Sequence, residues 1–205
     1  MYVPSNFTED RVPVLHEAIR GIKLGTLVTL GGEEMVASHV PMLVDPEPAP
    51  YGTLRGHIAR ANPQWRDASG KVRALAMFLG PDAYITPSWY ATKRVNAKVV
   101  PTWDYAAIHA YGPVRFFDDA DRLLALVTQL TETHEAPREQ RWAVSDAPAD
   151  FVRGMLRAIV GFELPIARLE GKWKMSQNRP AEDRAGVVVG LEADGRADVA
   201  ALIPR

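Results

Sequence analysis

The sequence predicts a protein of the α+β, mainly β class: an antiparallel barrel with helices packed outside it and a helical C-terminal part. Three observations carry that expectation. Short β-rich runs punctuated by Gly and Pro fill residues 24–117. Helical spacing of apolar residues dominates 119–203. The regular strand–helix alternation of a doubly wound sheet does not occur along the chain.

Each element follows from local chemistry. Asp10 is a good N-cap, Pro13 falls in a first turn where its missing N–H costs little, and Val12, Leu15, Ile19 and Ile22 recur at helical spacing. A helix is expected over about 11–20, with Gly21 as its stop. Residues 25–30 and 35–44 flank Gly31-Gly32 and read as a hairpin. Three prolines within 45–50 require a loop. Residues 53–58 form a third strand. A short helical turn over 59–65 is limited by Asn62-Pro63. Residues 73–79 form a fourth strand ended by Gly80-Pro81, 83–86 a short extended piece, and 99–117 further strand broken by Pro101 and Gly112-Pro113. Asp119 then opens an amphipathic helix bearing Leu123, Leu124, Leu126, Val127 and Leu130. A second helix starts near Pro148 and carries Phe151, Met155, Leu156, Ile159 and Val160. One extended segment is expected over 161–175, and one or two helices over 181–203. The chain reads as one domain, residues 1–205, with a strand-rich core over 1–117 completed by 118–205.

Composition excludes several classes. The formal net charge is −1, which lacks the basic footprint of a nucleic-acid binder. The absence of cysteine removes disulfides and thiolate metal sites. No apolar run approaches the roughly 18 residues that span a bilayer, and the N-terminus lacks a basic region followed by an apolar one. A cytoplasmic protein is expected.

Most catalytic templates fail. No Walker loop, G-x-G-x-x-G, G-x-S-x-G or H-E-x-x-H occurs, and no catalytic residue is assigned. His39, His57 and His109 lie on three different predicted strands without short ligand spacing, so no metal site is assigned. What stands out is polar and aromatic density in extended segments: Ser38-His39-Val40-Pro41, residues 57–65, Ser88-Trp89-Tyr90 with Lys93, residues 101–105, and 174–179. A flavin mononucleotide site needs this mixture. Its phosphate takes Arg, Lys and hydroxyl donors, and its ring takes a flat wall plus amide groups. The same residues also suit a barrel wall, with Trp89, Tyr90 and Trp103 packed and Arg60 and Arg179 in surface ion pairs.

These segments carry a family resemblance. Met1-Tyr2-Val3-Pro4 with Phe7, Ser38-His39-Val40-Pro41, Gly56-His57-Ile58-Ala59-Arg60-Ala61-Asn62-Pro63-Gln64, residues 78–84, Ile85-Thr86-Pro87-Ser88-Trp89-Tyr90, Val100-Pro101-Thr102-Trp103, Ile159-Val160-Gly161-Phe162 and residues 174–179 all match. In order, they resemble the PaiB-type FMN-binding negative transcriptional regulators over residues 1 to about 191. One departure is Asp104-Tyr105, where the family usually has Asn-Tyr. An added carboxylate repels a phosphate, so Asp104 is not expected to touch the cofactor.

The resemblance implies a split β-barrel related to pyridoxamine-phosphate-oxidase-like flavoproteins, binding FMN at a homodimer interface. Combined with side-chain chemistry, it points to Arg60, Lys93 and Ser88 for the phosphate. His39, His57, Trp89 and Thr102 are expected at the ring and ribityl chain, with Ser38 and Trp103 beside them. Lys174, Ser176, Gln177 and Arg179 are expected to reach in, from this subunit or its partner. DNA as a partner is implied by the resemblance alone, since no helix-turn-helix pattern is present; Arg153 and Arg157, four apart, suit a solvated helix face equally well. The competing readings are a flavin-dependent oxidoreductase and a haem-binding split barrel with His57 or His109 as axial ligand.

Overall fold

Alternating burial along the strands is what turns the first half of the chain into sheet. In residues 53–59, for example, Leu54, Gly56 and Ile58 are buried while the residues between them are partly solvated. The computed structural model describes residues 1–31, 34–67 and 73–205. They form β1 (Thr8–Glu9), α1 (Val12–Ile22), β2 (Leu24–Gly31), β3 (Glu34–Asp45), β4 (Thr53–Ala59), α2 (Gln64–Asp67), β5 (Arg73–Ile85) and α3 (Lys93–Asn96). Then follow β6 (Thr102–Pro113), β7 (Arg115–Phe117), α4 (Ala120–Glu135), α5 (Ala149–Leu156), β8 (Ile159–Pro165), β9 (Arg168–Lys174), α6 (Ala181–Ala193) and α7 (Ala197–Ala200).

The chain divides into two compact units. One comprises Met1–Leu15, Leu79–Ile108 and Glu170–Arg205; the other comprises His16–Phe78 and His109–Leu169. In the first, the strand order is β1-β9-β6-β5. Its core gathers Ile85, Tyr90, Ala106, Met175, Val187 and Leu191. Helix α6 meets the Pro87–Trp89 3-10 turn through a notch: a Cβ on Gly190 would lie 2.2 Å from the Trp89 ring, so only glycine lets the indole seat there.

In the second unit the order is β5-β2-β3-β4-β8-β7. Strands β2 and β3 pair antiparallel from Leu24↔Pro41 to Gly31↔Glu34, which is the expected hairpin; of the Gly31-Gly32 turn, Gly32 lies outside the described residues. Strand β8 pairs antiparallel with the whole of β4, Thr53↔Pro165 to Ala59↔Ile159. Facing residues Gly56 and Phe162 explain the glycine, since a Cβ there would sit 2.7 Å from the phenyl ring. Helix α4 packs on β3 and β8, with Leu123, Leu126 and Leu130 buried and the Asp119 carboxylate accepting from Arg122 N–H as N-cap.

Five local expectations shift. Helix α1 runs through Gly21 to Ile22, and the residue after it, Lys23, adopts φ 65° and donates its N–H to Ile19 O at 2.9 Å. The short helical turn starts only at Gln64, after Pro63. Strand β5 continues across Gly80-Pro81 to Ile85, because proline removes one ladder donor without leaving extended φ. Ile159 and Val160 belong to β8: seven residue pairs with β4 override the helical spacing that joined them to α5. The single extended segment is two strands, parted where Ile166 N–H turns to Gly52 O and Ala167 N–H to Tyr111 O.

Candidate functional site

In the second unit the polar segments lock one another. Gln64 is buried, and its side-chain amide donates to Leu27 O (3.2 Å), Thr29 Oγ1 (3.1 Å) and Val36 O (3.2 Å). Its Oε1 accepts from Ser38 Oγ at 2.6 Å, and Ser38 Oγ accepts in turn from Asn62 Nδ2 at 2.8 Å. The turn after β4 is thereby pinned to the β2–β3 hairpin. Ser38 serves that pinning. Arg60 is likewise engaged: Nε donates to Arg157 O (2.8 Å), Nη2 to Ile159 O (3.2 Å), and Nη1 pairs with Asp118 (3.3 Å). His39 is exposed on β3, its Nδ1 2.9 Å from Thr26 Oγ1. His57 sits on β4 with Nδ1 buried and without a hydrogen-bond partner among the described residues, and burial holds its imidazole below the usual range, hence neutral near pH 7.

In the first unit a second network surrounds Asp104, which is fully buried. Its Oδ2 accepts from Ser176 Oγ at 2.6 Å, and its Oδ1 lies 3.4 Å from Lys174 Nζ. Lys174 also donates to Thr102 Oγ1 (2.7 Å) and to Trp103 O. Ser176 has φ 56°, a left-handed conformation that a non-glycine residue keeps only when its surroundings fix it. Gln177 completes the turn, accepting from Met175 N–H at 2.7 Å and donating to Trp173 O. Desolvation raises the Asp104 carboxyl above its ordinary value, against the Ser176 and Lys174 interactions that pull it down. Asp104 therefore points into the protein and braces two residues expected at the ligand.

Around that brace lie groups free to meet a ligand. Lys93 is exposed with Nζ 3.2 Å from Ser88 Oγ. Its helical turn is fixed by the buried Asp183, which accepts from Thr92 N–H (2.9 Å) and Thr92 Oγ1 (2.8 Å). Arg179 lies over the Tyr90 ring, 4.5 Å from its centroid, and the buried Tyr90 Oη has no hydrogen-bond partner among the described residues. Trp103 is 55% exposed and meets Tyr84 edge to face at 5.9 Å. Tyr84, Thr86, Trp89 and Trp103 line a groove of about 690 Å³ together with Asp82, Asp194 and Arg196.

The thirteen expected residues thus fall into two sets. Ser38, His39, His57 and Arg60 lie in one unit, and Ser88, Trp89, Lys93, Thr102, Trp103, Lys174, Ser176, Gln177 and Arg179 in the other. The sequence reading missed the organising residues Gln64, Asp104 and Asp183. Gln64 had a signal, since a Gln after Asn-Pro at the end of a strand suits backbone bridging. Asp183 had none, because its partner Thr92 is 91 residues away. Among the described residues no group of three His, Asp or Glu side chains suits a metal ion, and no helix is long and apolar enough to cross a membrane.

The donor set fits FMN in the first unit. An exposed ammonium–hydroxyl pair, an exposed indole and an orphaned buried phenol answer the needs of a phosphate, a planar ring and its polar edge.

Comparison with known proteins bears on the same chemistry. The family described as "Putative FMN-binding domain" matches residues 1–168. An uncharacterized protein of Emericella nidulans is 34% identical over 94% of this chain and 90% of its own length. The Bacillus subtilis protease synthase and sporulation protein PAI 2 is 31% identical over 94% of this chain and 89% of its own. Among solved structures, the flavocytochrome Anf3 from Azotobacter vinelandii is similar with a TM-score of 0.59 at 10% identity, covering 87% of this chain and 75% of that one.

Proposed function

This chain belongs to the PaiB-type FMN-binding split-barrel family, and on that premise we propose that it is a cytoplasmic, homodimeric flavin-binding regulator of transcription whose FMN rests on the first unit. The observation that carries the placement is the contrast between engaged and unengaged cations. Lys93 is exposed beside a hydroxyl, whereas Arg60 spends its guanidinium on Asp118 and two carbonyls. Lys93 and Ser88 hold the phosphate, Trp103 faces the ring, and Arg179, lying over the Tyr90 ring, meets a polar edge. Thr102, Lys174, Ser176 and Gln177 set the turn that presents Arg179, and Trp89 fixes α6. Bound FMN supplies one- or two-electron chemistry.

A second copy of the chain completes the site. Tyr84, Val95, Val100 and Trp103 are large apolar residues of the first unit that stand exposed, from 49% to 82%, and a partner subunit covers them. Light scattering on a size-exclusion column gives a dimer under this reading.

Titration of the purified protein with FMN, followed by flavin fluorescence, tests the placement. Saturation near one FMN per subunit is expected, with Lys93→Ala weakening binding about tenfold or more and Arg60→Ala changing it by less than about threefold, in line with the loss of one charge-assisted hydrogen bond. The reverse ranking would move the phosphate to the second unit. The oxidoreductase reading draws on the flavin's capacity for hydride chemistry with little help from side chains. Rapid bleaching of bound FMN by NADH or NADPH would favour it over a purely regulatory role. The haem reading draws on the fold shared with a flavocytochrome, and an intense Soret band after haem titration, lost in His57→Ala or His109→Ala, would support it.

A further inference from the structure

We propose that the groove between α4 and α5 in the second unit is a binding site for an amphipathic organic anion, a medium-chain carboxylate. Two adjoining recesses form it. The larger, about 490 Å³, has apolar walls from Leu124, Val144, Val152 and Leu156. The smaller, about 280 Å³, is lined by Arg60, Arg153 and Arg157 with Asp118. Arg153 and Leu156 line both, so the apolar recess opens into the arginine-lined one.

The charge at that end is uncompensated. Three arginines face one aspartate, and Asp118 is already paired with Arg60. The Arg153 and Arg157 guanidinium groups have no ion pair or side-chain hydrogen bond among the described residues. Arg153 lies on α5 and Arg157, four residues on, is its C-cap residue in helical conformation, so both line the same recess. Two unpaired guanidinium forks suit a carboxylate in bidentate geometry.

The opposite end has the opposite sign. Glu132 lines the apolar recess far along α4. It lies nine residues beyond Leu123, which lines the arginine recess, or about 13 Å at 1.5 Å per residue. A carboxylate is attracted at one end and repelled at the other, so the ligand's polarity is fixed: head among the arginines, alkyl chain along Leu124, Val152 and Leu156. The walls that take the chain contribute no cation beyond Arg153, which disfavours a nucleic-acid backbone as occupant.

Isothermal titration calorimetry of the full chain with sodium decanoate, kept below its micelle concentration, tests the site. One saturable site is expected. The double variant Arg153→Ala, Arg157→Ala should weaken it at least tenfold, and Val152→Trp, which fills the apolar recess, should abolish it. Both variants should keep the wild-type far-UV circular dichroism and the wild-type response to FMN, which separates loss of the site from loss of the fold. Decyltrimethylammonium, with the same tail and a positive head, should not bind. Equal binding of both amphiphiles, or unchanged affinity in the double arginine variant, would overturn the proposal. So would binding to anionic vesicles without binding to monomeric decanoate. A Val152→Trp protein that turns monomeric, with no decanoate site in the wild type, would assign the groove to a subunit interface instead.

Discussion

Two polar turns, residues 59–64 in one unit and 173–179 in the other, are built from equally unusual residues and stabilised by different physics. The first is held by a neutral amide. Gln64 matches each of its polar atoms to backbone or hydroxyl partners on β2 and β3. The second is held by a buried charge. Asp104 secures Lys174 and Ser176 in a site with no solvent access to its carboxylate. A satisfied amide carries a small desolvation cost and no proton to exchange. A buried carboxylate carries a large one, offset only while its partners stay in place. The charged turn is therefore the more brittle of the two and the one that senses pH.

Breaking each brace tests that ranking. Asp104→Ala leaves Lys174 without its counter-charge and Ser176 Oγ without an acceptor, and should lower stability in chemical denaturation by about 3–5 kcal/mol. Gln64→Ala leaves the Ser38 and Thr29 hydroxyls and two carbonyls to find other partners, and should cost about 2–3 kcal/mol. If Gln64→Ala proves the more damaging, the charged brace is not the stronger constraint. Asp104→Asn keeps the shape and replaces the carboxylate with a neutral amide; it should cost about 1 kcal/mol at neutral pH.

The same Asp104→Asn variant separates the turns by pH. Burial raises the Asp104 carboxyl in the folded chain, so its contribution to stability is fully present below the ordinary aspartate value and is lost as pH rises through the raised one. Measured by urea unfolding, the advantage of wild type over Asp104→Asn should grow as pH falls from neutral through the carboxylate range. Gln64→Ala should show a pH-independent difference from wild type. Parallel curves for both variants would remove Asp104 as the pH-sensitive element.

Much of the fold was legible. The β2–β3 hairpin follows from two β-rich runs about Gly31-Gly32, α4 from its N-cap Asp119 and leucine spacing, and α6 and α7 from the apolar periodicity of the tail. The misplaced boundaries share a cause. Ile159 and Val160 satisfy helical spacing as well as strand alternation, and only pairing with β4 decides between them. Lys23 ends α1 in a left-handed conformation that local sequence assigns more readily to Gly21. For the site, the segments were legible and the roles were not. Lys174, Ser176, Ser38 and Arg60 have the chemistry of ligand contacts, and the chain itself takes up that chemistry. Arg153 and Arg157 read as a solvated helix face, and they line a recess.

By itself the sequence determined residue chemistry, periodicity and family membership, because these depend on side-chain type and on spacing within a few residues. It showed which segments are rich in donors and aromatics, and the absence of cysteine narrowed the chemistry open to them. Which donors remain available to a ligand was decided by tertiary structure alone. Availability depends on partners far away in sequence: Asp104 meets Ser176 across 72 residues, Thr92 meets Asp183 across 91, and Arg60 meets Ile159 across 99. A buried polar group must be matched wherever the fold brings a match, and no local pattern records where that will be.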